Sequence, residues 1–149
     1  DNIRHSWPVY ASQLLYLGHQ PALKAQLTAR ENLAWYAASA GAGQDRIDAG
    51  LLALGIHKKA DLPCYQLSAG QQRRTVLARL FFSQQPLWIL DEPFTAIDAK
   101  GFAPVVECLR QHLARGGMVV LTTHHGMENI DIPHRTLLLG DDMMKQAMA

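Results

Sequence analysis

Three short, unbroken apolar runs, each ending in polar residues capable of chemistry, constrain this chain most. Leu14-Leu15-Tyr16-Leu17 leads into Gly18-His19-Gln20, Leu87-Trp88-Ile89-Leu90 into Asp91-Glu92, and Met118-Val119-Val120-Leu121-Thr122-Thr123 into His124-His125. Continuous rather than alternating runs suit parallel strands covered on both faces. In open parallel sheets ligands bind beyond the carboxyl ends of the strands, where these polar residues fall. A fourth run, Thr136-Leu137-Leu138-Leu139, reads as a further strand without evident chemistry. Between the second and third runs, Val105, Val106, Leu109 and Leu113 form a helical stripe closed by Gly116-Gly117, which predicts a right-handed βαβ unit. The expected fold class is α/β.

The segment between the first two strands reads as helical. Thr28-Ala29-Arg30-Glu31 fits a capping box, followed by a stripe of Leu33, Tyr36, Ala37 and Ala40 before Gly41. Ile47, Leu51 and Leu54 form a second stripe that stops at Gly55. Ser68-Ala69-Gly70-Gln71 is another capping box, opening a helix that carries Val76, Leu77, Leu80 and Phe81.

With 149 residues, 48% of them hydrophobic, the chain suits one domain with a real core. A net charge of +1, with Lys and Arg scattered, gives no footprint for nucleic acid. Cys64 and Cys108 lie far apart, in no metal or redox spacing, which fits a reduced compartment. No apolar stretch reaches the roughly 18–20 residues that span a bilayer. The start at Asp1 rather than Met leads us to expect a piece of a longer protein.

Each candidate site residue has a plain structural reading beside a functional one. Ser68 is an N-cap, and the same helix start is an anion site, where Gly70 would let phosphate approach the backbone. Asp91 and Glu92 follow a buried strand and are costly to bury unpaired. They form either a solvated turn before Pro93, or a metal-holding Asp91 beside a Glu92 that points the other way and acts as general base. His124, beside them at the end of the third strand, is either a surface residue or an imidazole in reach of a terminal phosphate, with His125 pointing away. Gln20 is a turn residue before Pro21 or a ligand at the first strand's end. Asp98 in Thr95-Ala96-Ile97-Asp98 caps the next helix or serves the site.

Taken in order, Gln20, Leu67-Ser68-Ala69-Gly70-Gln71, Leu87 to Glu92, Asp98 and His124 resemble the Q-loop, signature, Walker B, D-loop and H-loop of ABC-type ATPases. In detail the chain is similar to the ATP-binding subunits of cytochrome c maturation, described as haem exporters. Leu17-Gly18-His19-Gln20-Pro21, Leu27 to Leu33, Leu67 to Arg74, Trp88 to Asp98 and Leu121 to His124 carry that likeness, while His125 stands where such relatives usually have Gln. The resemblance implies a P-loop NTPase-like core, here partial, with an inserted helical subdomain. It implies one ABC ATPase domain over 1–149 lacking its N-terminal part, with 21–83 as the helical subdomain and 84–149 as the C-terminal part of the catalytic core.

The resemblance also implies ATP and Mg²⁺ as cofactors. Glu92 and His124 would be catalytic, Gln20, Ser68, Gly70, Gln71, Asp91 and Asp98 would bind nucleotide, and Asp91 and Gln20 would hold Mg²⁺, partly through water. Expected partners are integral-membrane permease subunits and a second copy in a nucleotide sandwich, with no nucleic acid, at the cytoplasmic face of the inner membrane. No G-x-x-x-x-G-K-[ST] occurs, so the P-loop is expected upstream and the chain alone is expected not to hydrolyse ATP. The alternatives are the ATPase of another ABC transporter, a soluble ABC ATPase acting on ribosomes or DNA, and a non-enzymatic half-site.

Overall fold

The computed structural model describes residues 7–124 and 130–137. A short helix α1 (Trp7–Ser12), which no sequence signal announced, precedes strand β1 (Leu14–Leu17). Helices α2 (Ala29–Ser39), α3 (Gln44–Ala53) and α4 (Ala69–Leu77) follow, the last tightening into a 3₁₀ turn over Ala78–Phe81. Strand β2 (Leu87–Asp91), helix α5 (Ala99–Ala114) and strand β3 (Met118–Thr122) come next, and two 3₁₀ turns, His57–Lys59 and Cys64–Gln66, lie between α3 and α4.

Both expected capping boxes form. The Thr28 hydroxyl accepts from the Glu31 amide while the Glu31 carboxylate accepts from the Thr28 amide, and Ser68 and Gln71 do the same at α4. Each such cap is worth about 1 kcal/mol. Gly55, at φ +67°, ends α3 in the left-handed conformation that a side chain resists. The stripes Leu33/Ala37, Ile47/Leu51/Leu54 and Val76/Leu77/Leu80 are buried in the same cluster as the strand residues Leu15, Leu17, Trp88 and Leu90.

The strands lie in the order β1-β2-β3, all parallel, with Leu17 opposite Leu90, Leu90 opposite Leu121 and Asp91 opposite Thr122. Both faces were expected to be covered; among the described residues only one is. Leu15, Leu17, Trp88 and Leu90 point into the core beneath α5 and the helical segment. On the other face Tyr16, Met118 and Val120 are more than half exposed, because no helix among the described residues packs against that row. Of the fourth apolar run, Thr136 and Leu137 are not in a strand. Leu138 and Leu139 lie outside the described residues, as does His125.

Candidate active site at the strand ends

The carboxyl ends of β1, β2 and β3 bound a cavity of about 570 Å³ lined by His19, Asp91, Glu92, Thr95, Thr122, Thr123 and His124. Register explains the gathering, since Asp91 pairs with Thr122 and each strand delivers its last residues to one rim. The Thr122 hydroxyl donates to Asp91 Oδ1 at 2.6 Å and accepts from the Glu92 amide at 3.1 Å. That bond from Thr122 holds the Asp91 carboxyl below its usual range, helped by the His19 amide and by the charges of His19 and Arg73.

Glu92 corrects a second expectation. Strand alternation would turn its side chain away from that of Asp91. Instead Glu92 leaves the strand at φ +49°, and both carboxylates line the same cavity. Glu92 Oε1 lies 3.4 Å from His124 Nε2, and Glu92 Oε2 accepts from the Thr95 hydroxyl at 3.4 Å. His124 itself is almost fully exposed, so its imidazole is open to whatever occupies the cavity. A left-handed non-glycine residue costs on the order of 1 kcal/mol, so neighbours must hold it.

Arg73 is one of them, and sequence reasoning gave it no role. It projects from α4 and is only 4% exposed. Its Nη1 donates to the Gly18 carbonyl at 2.7 Å, with a longer contact to His19 O at 3.5 Å. Its Nη2 donates to the carbonyls of Asp91 at 2.6 Å and Glu92 at 2.8 Å. Burial lowers its pKa, opposed by the charges of Asp91 and Glu92, and a guanidinium stays protonated regardless. Thr122 and His19 were also passed over. Their only signal was position at the ends of predicted strands.

The remaining predicted residues sit apart from this cavity. Gln20 directly follows His19 but is not among the lining residues. Ser68, Gly70 and Gln71 form the start of α4, with the Ser68 hydroxyl occupied by the Gln71 amide at 3.3 Å. Gly70 has a reason for lacking a side chain beyond any approach of phosphate: a Cβ there would stand 2.6 Å from the carbonyl oxygen of Ala96, itself at φ +61°. Asp98 caps α5, accepting from the Gly101 amide at 3.0 Å, and lies 3.8 Å from Arg74 Nη1.

A family model described as ABC transporter matches residues 1–95. This chain belongs to the ABC transporter family. The cassette is 48% identical over 132 residues to the cytochrome c biogenesis ATP-binding export protein CcmA of Pseudomonas fluorescens (strain Pf0-1), covering 88% of this chain and 63% of that protein. It is 43% identical over 150 residues to the CcmA of Yersinia pseudotuberculosis serotype I (strain IP32953), covering 100% of this chain and 69% of that protein. The expected likeness to the cytochrome c maturation subunits is therefore borne out. This ABC cassette spans between about three-fifths and two-thirds of the length of those relatives.

Solved structures agree on the fold. A putative ABC transporter ATP-binding protein from Pyrococcus furiosus superposes with a TM-score of 0.70 at 19% identity, covering 84% of this chain and 63% of that one. A dimeric ATP-binding cassette in a post-hydrolysis state, bound to ADP and phosphate, superposes with a TM-score of 0.66 at 25% identity, covering 84% and 58%. The expected α/β fold with a parallel sheet is that of an ABC cassette. No helix among the described residues is long and apolar enough to cross a membrane.

Proposed function

We propose that the complete protein hydrolyses Mg²⁺-ATP and uses it to drive an integral-membrane partner in cytochrome c maturation, exporting haem or a related component. The observation that carries the reading is the pair of carboxylates in one cavity, Asp91 fixed by Thr122 and Glu92 facing His124 at 3.4 Å. Glu92 is placed to take a proton from an attacking water at its Oε1, and His124 to orient that water or a terminal phosphate. Thr122 holds the Asp91 carboxylate and the Glu92 amide, and Arg73 the carbonyls of both residues, so catalysis is chiefly positioning and electrostatics.

The donors present fit Mg²⁺, which nucleotide sites hold with one or two carboxylates plus phosphate oxygens. Among the described residues no three His, Cys, Asp or Glu converge to hold a metal by themselves. Asp91, and by the family resemblance Gln20, would supply the protein's share, partly through water. When bound, Mg²⁺ neutralises the phosphate oxygens. The start of α4, with Ser68, Gly70 and Gln71, would meet the γ-phosphate held by a second copy, and Asp98 would also bind nucleotide.

In this reading 21–83 is the helical subdomain and 84–149 the C-terminal part of the catalytic core. The partners are permease subunits and the second copy rather than nucleic acid, and the subunit works at the cytoplasmic face of the inner membrane. The test is Glu92→Gln in the full-length subunit. ATP binding should persist while hydrolysis slows by about 10²-fold or more, with an ATP-bound dimer accumulating. Turnover at the wild-type rate would remove Glu92 from the chemistry.

A further inference from the structure

Arg73 links three segments far apart in sequence. Its side chain leaves the second turn of α4, the helix that Ser68 caps, and ends in a cage of main-chain carbonyls. Two of those carbonyls, Asp91 and Glu92, are consecutive. In an extended strand consecutive carbonyls point to opposite sides, so both can accept from the single Nη2 only where the chain turns between them. That turn is the left-handed Glu92. The third carbonyl, Gly18, lies one residue past β1 and immediately before the His19 that lines the cavity.

No carboxylate pairs directly with this guanidinium among the described contacts. Its Nε is buried without a partner, so the whole polar function of the side chain runs through the two Nη atoms. A charge so deeply buried is retained only where its donors are well matched. The planar fork is what lets one side chain reach β1 and β2 at once, which a point-like ammonium does less well. Thr122 holds Glu92 from the β3 side through the Glu92 amide. Arg73 therefore holds the carbonyl end of the same residue, and the Glu92 peptide units are pinned on both sides.

We propose that Arg73 is a positioning residue that couples the signature helix to the catalytic carboxylates of its own subunit. By gripping the carbonyls of Gly18, Asp91 and Glu92, it fixes the left-handed turn that aims Glu92 at His124. Any displacement of the α4 start when it closes on nucleotide is passed to the ends of β1 and β2. The proposal rests on the ATPase reading above.

The experiment is a double-mutant cycle in the full-length subunit with its membrane partner, combining Arg73→Lys and Glu92→Gln and reading kcat and the KM for ATP. Arg73→Lys keeps the charge and loses the fork. It should fold and bind ATP with a KM within about threefold of wild type, while kcat falls by about 10²-fold, the scale of a displacement of about 1 Å at a catalytic group. In the Glu92→Gln background the same substitution should cost little more, because the group it aims is already disabled.

Losses that multiply would show Arg73 acting on something other than Glu92 and overturn the proposal. So would a normal kcat per folded molecule with only a lowered melting temperature. If the lysine variant does not fold, Arg73→Gln carries the same cycle, having two donors and no charge to bury. Undiminished turnover by Glu92→Gln alone would instead overturn the reading of the site, an outcome distinct from either failure of Arg73.

Discussion

The imidazole of His112 lies flat on the indole of Trp88, with ring centroids 3.7 Å apart and planes 8° from parallel. The stack joins the end of α5 to the strand that carries Asp91. Both rings are buried, and burial lowers the pKa of His112 from its ordinary 6.5, opposed by the backbone of Met118 and Pro86. The folded state thus favours neutral imidazole, while the unfolded chain binds the proton more readily. The contribution is present above pH 6.5 and is lost as the pH falls from there through the lower folded pKa. Wild-type protein should lose thermal stability in that window, and His112→Leu, which cannot titrate, should lose less. Parallel pH-melt curves for the two proteins would refute this.

Gly117 forms the other wall of the same ring, since a Cβ there would collide with Nε2, Cε1 and Cδ2 of His112. Gly117→Ala should therefore cost about 1–3 kcal/mol, as overpacking does. Most of that loss should disappear in a His112→Ala background, where the ring is absent. Denaturant midpoints of the four proteins give the answer, and simple additivity would mean the ring does not sit against Gly117.

Gly70→Ala tests the packing of α4 against the turn at Ala96. At an unobstructed helix position alanine would stabilise by about 1 kcal/mol relative to glycine. Here the added Cβ would stand 2.6 Å from a carbonyl oxygen, so we expect net destabilisation, of about 1–3 kcal/mol. A higher melting temperature for Gly70→Ala would sink the contact.

Ser68→Asp separates cap from phosphate contact. Asp caps a helix about as well as Ser, so the variant should melt normally in the full-length dimer. A carboxylate repels the γ-phosphate, so hydrolysis should nonetheless fail. Mixed dimers with a P-loop mutant locate the failing site, expected to be the one whose nucleotide is bound by the other subunit. Wild-type turnover would leave Ser68 with a capping role alone.

Local signals were the legible ones. Thr28/Glu31 and Ser68/Gln71 announce their helices because both partners of each capping box lie within four residues, and the three strands were visible as apolar runs. The Asp91-Glu92 pair was visible as a candidate site because carboxylates after a buried strand need a reason. What escaped was set by contacts across the sequence: Arg73 to Gly18, Thr122 to Asp91, and Ala96 against Gly70. Strand alternation misled at Glu92, since a left-handed residue forced by distant donors leaves no mark in a strand pattern. The exposed row of Tyr16, Met118 and Val120, which nothing among the described residues covers, escaped for a similar reason, because an apolar run does not say whether something lies above it.

Leu14 pairs with Leu87, with all of α2, α3 and α4 between them. During synthesis at about 5–20 residues per second, β1 therefore waits roughly 4 to 15 s for its neighbour to leave the ribosome. The residues that emerge meanwhile include Leu33, Ile47, Leu51, Leu54 and Leu77, which can bury one another with local contacts first. The pairing of β1 with β2 is then the late event, closing onto a helical body already made. Until it does, the edge of β1 that β2 will occupy is open, and a chaperone, or a neighbouring nascent chain, can settle on it.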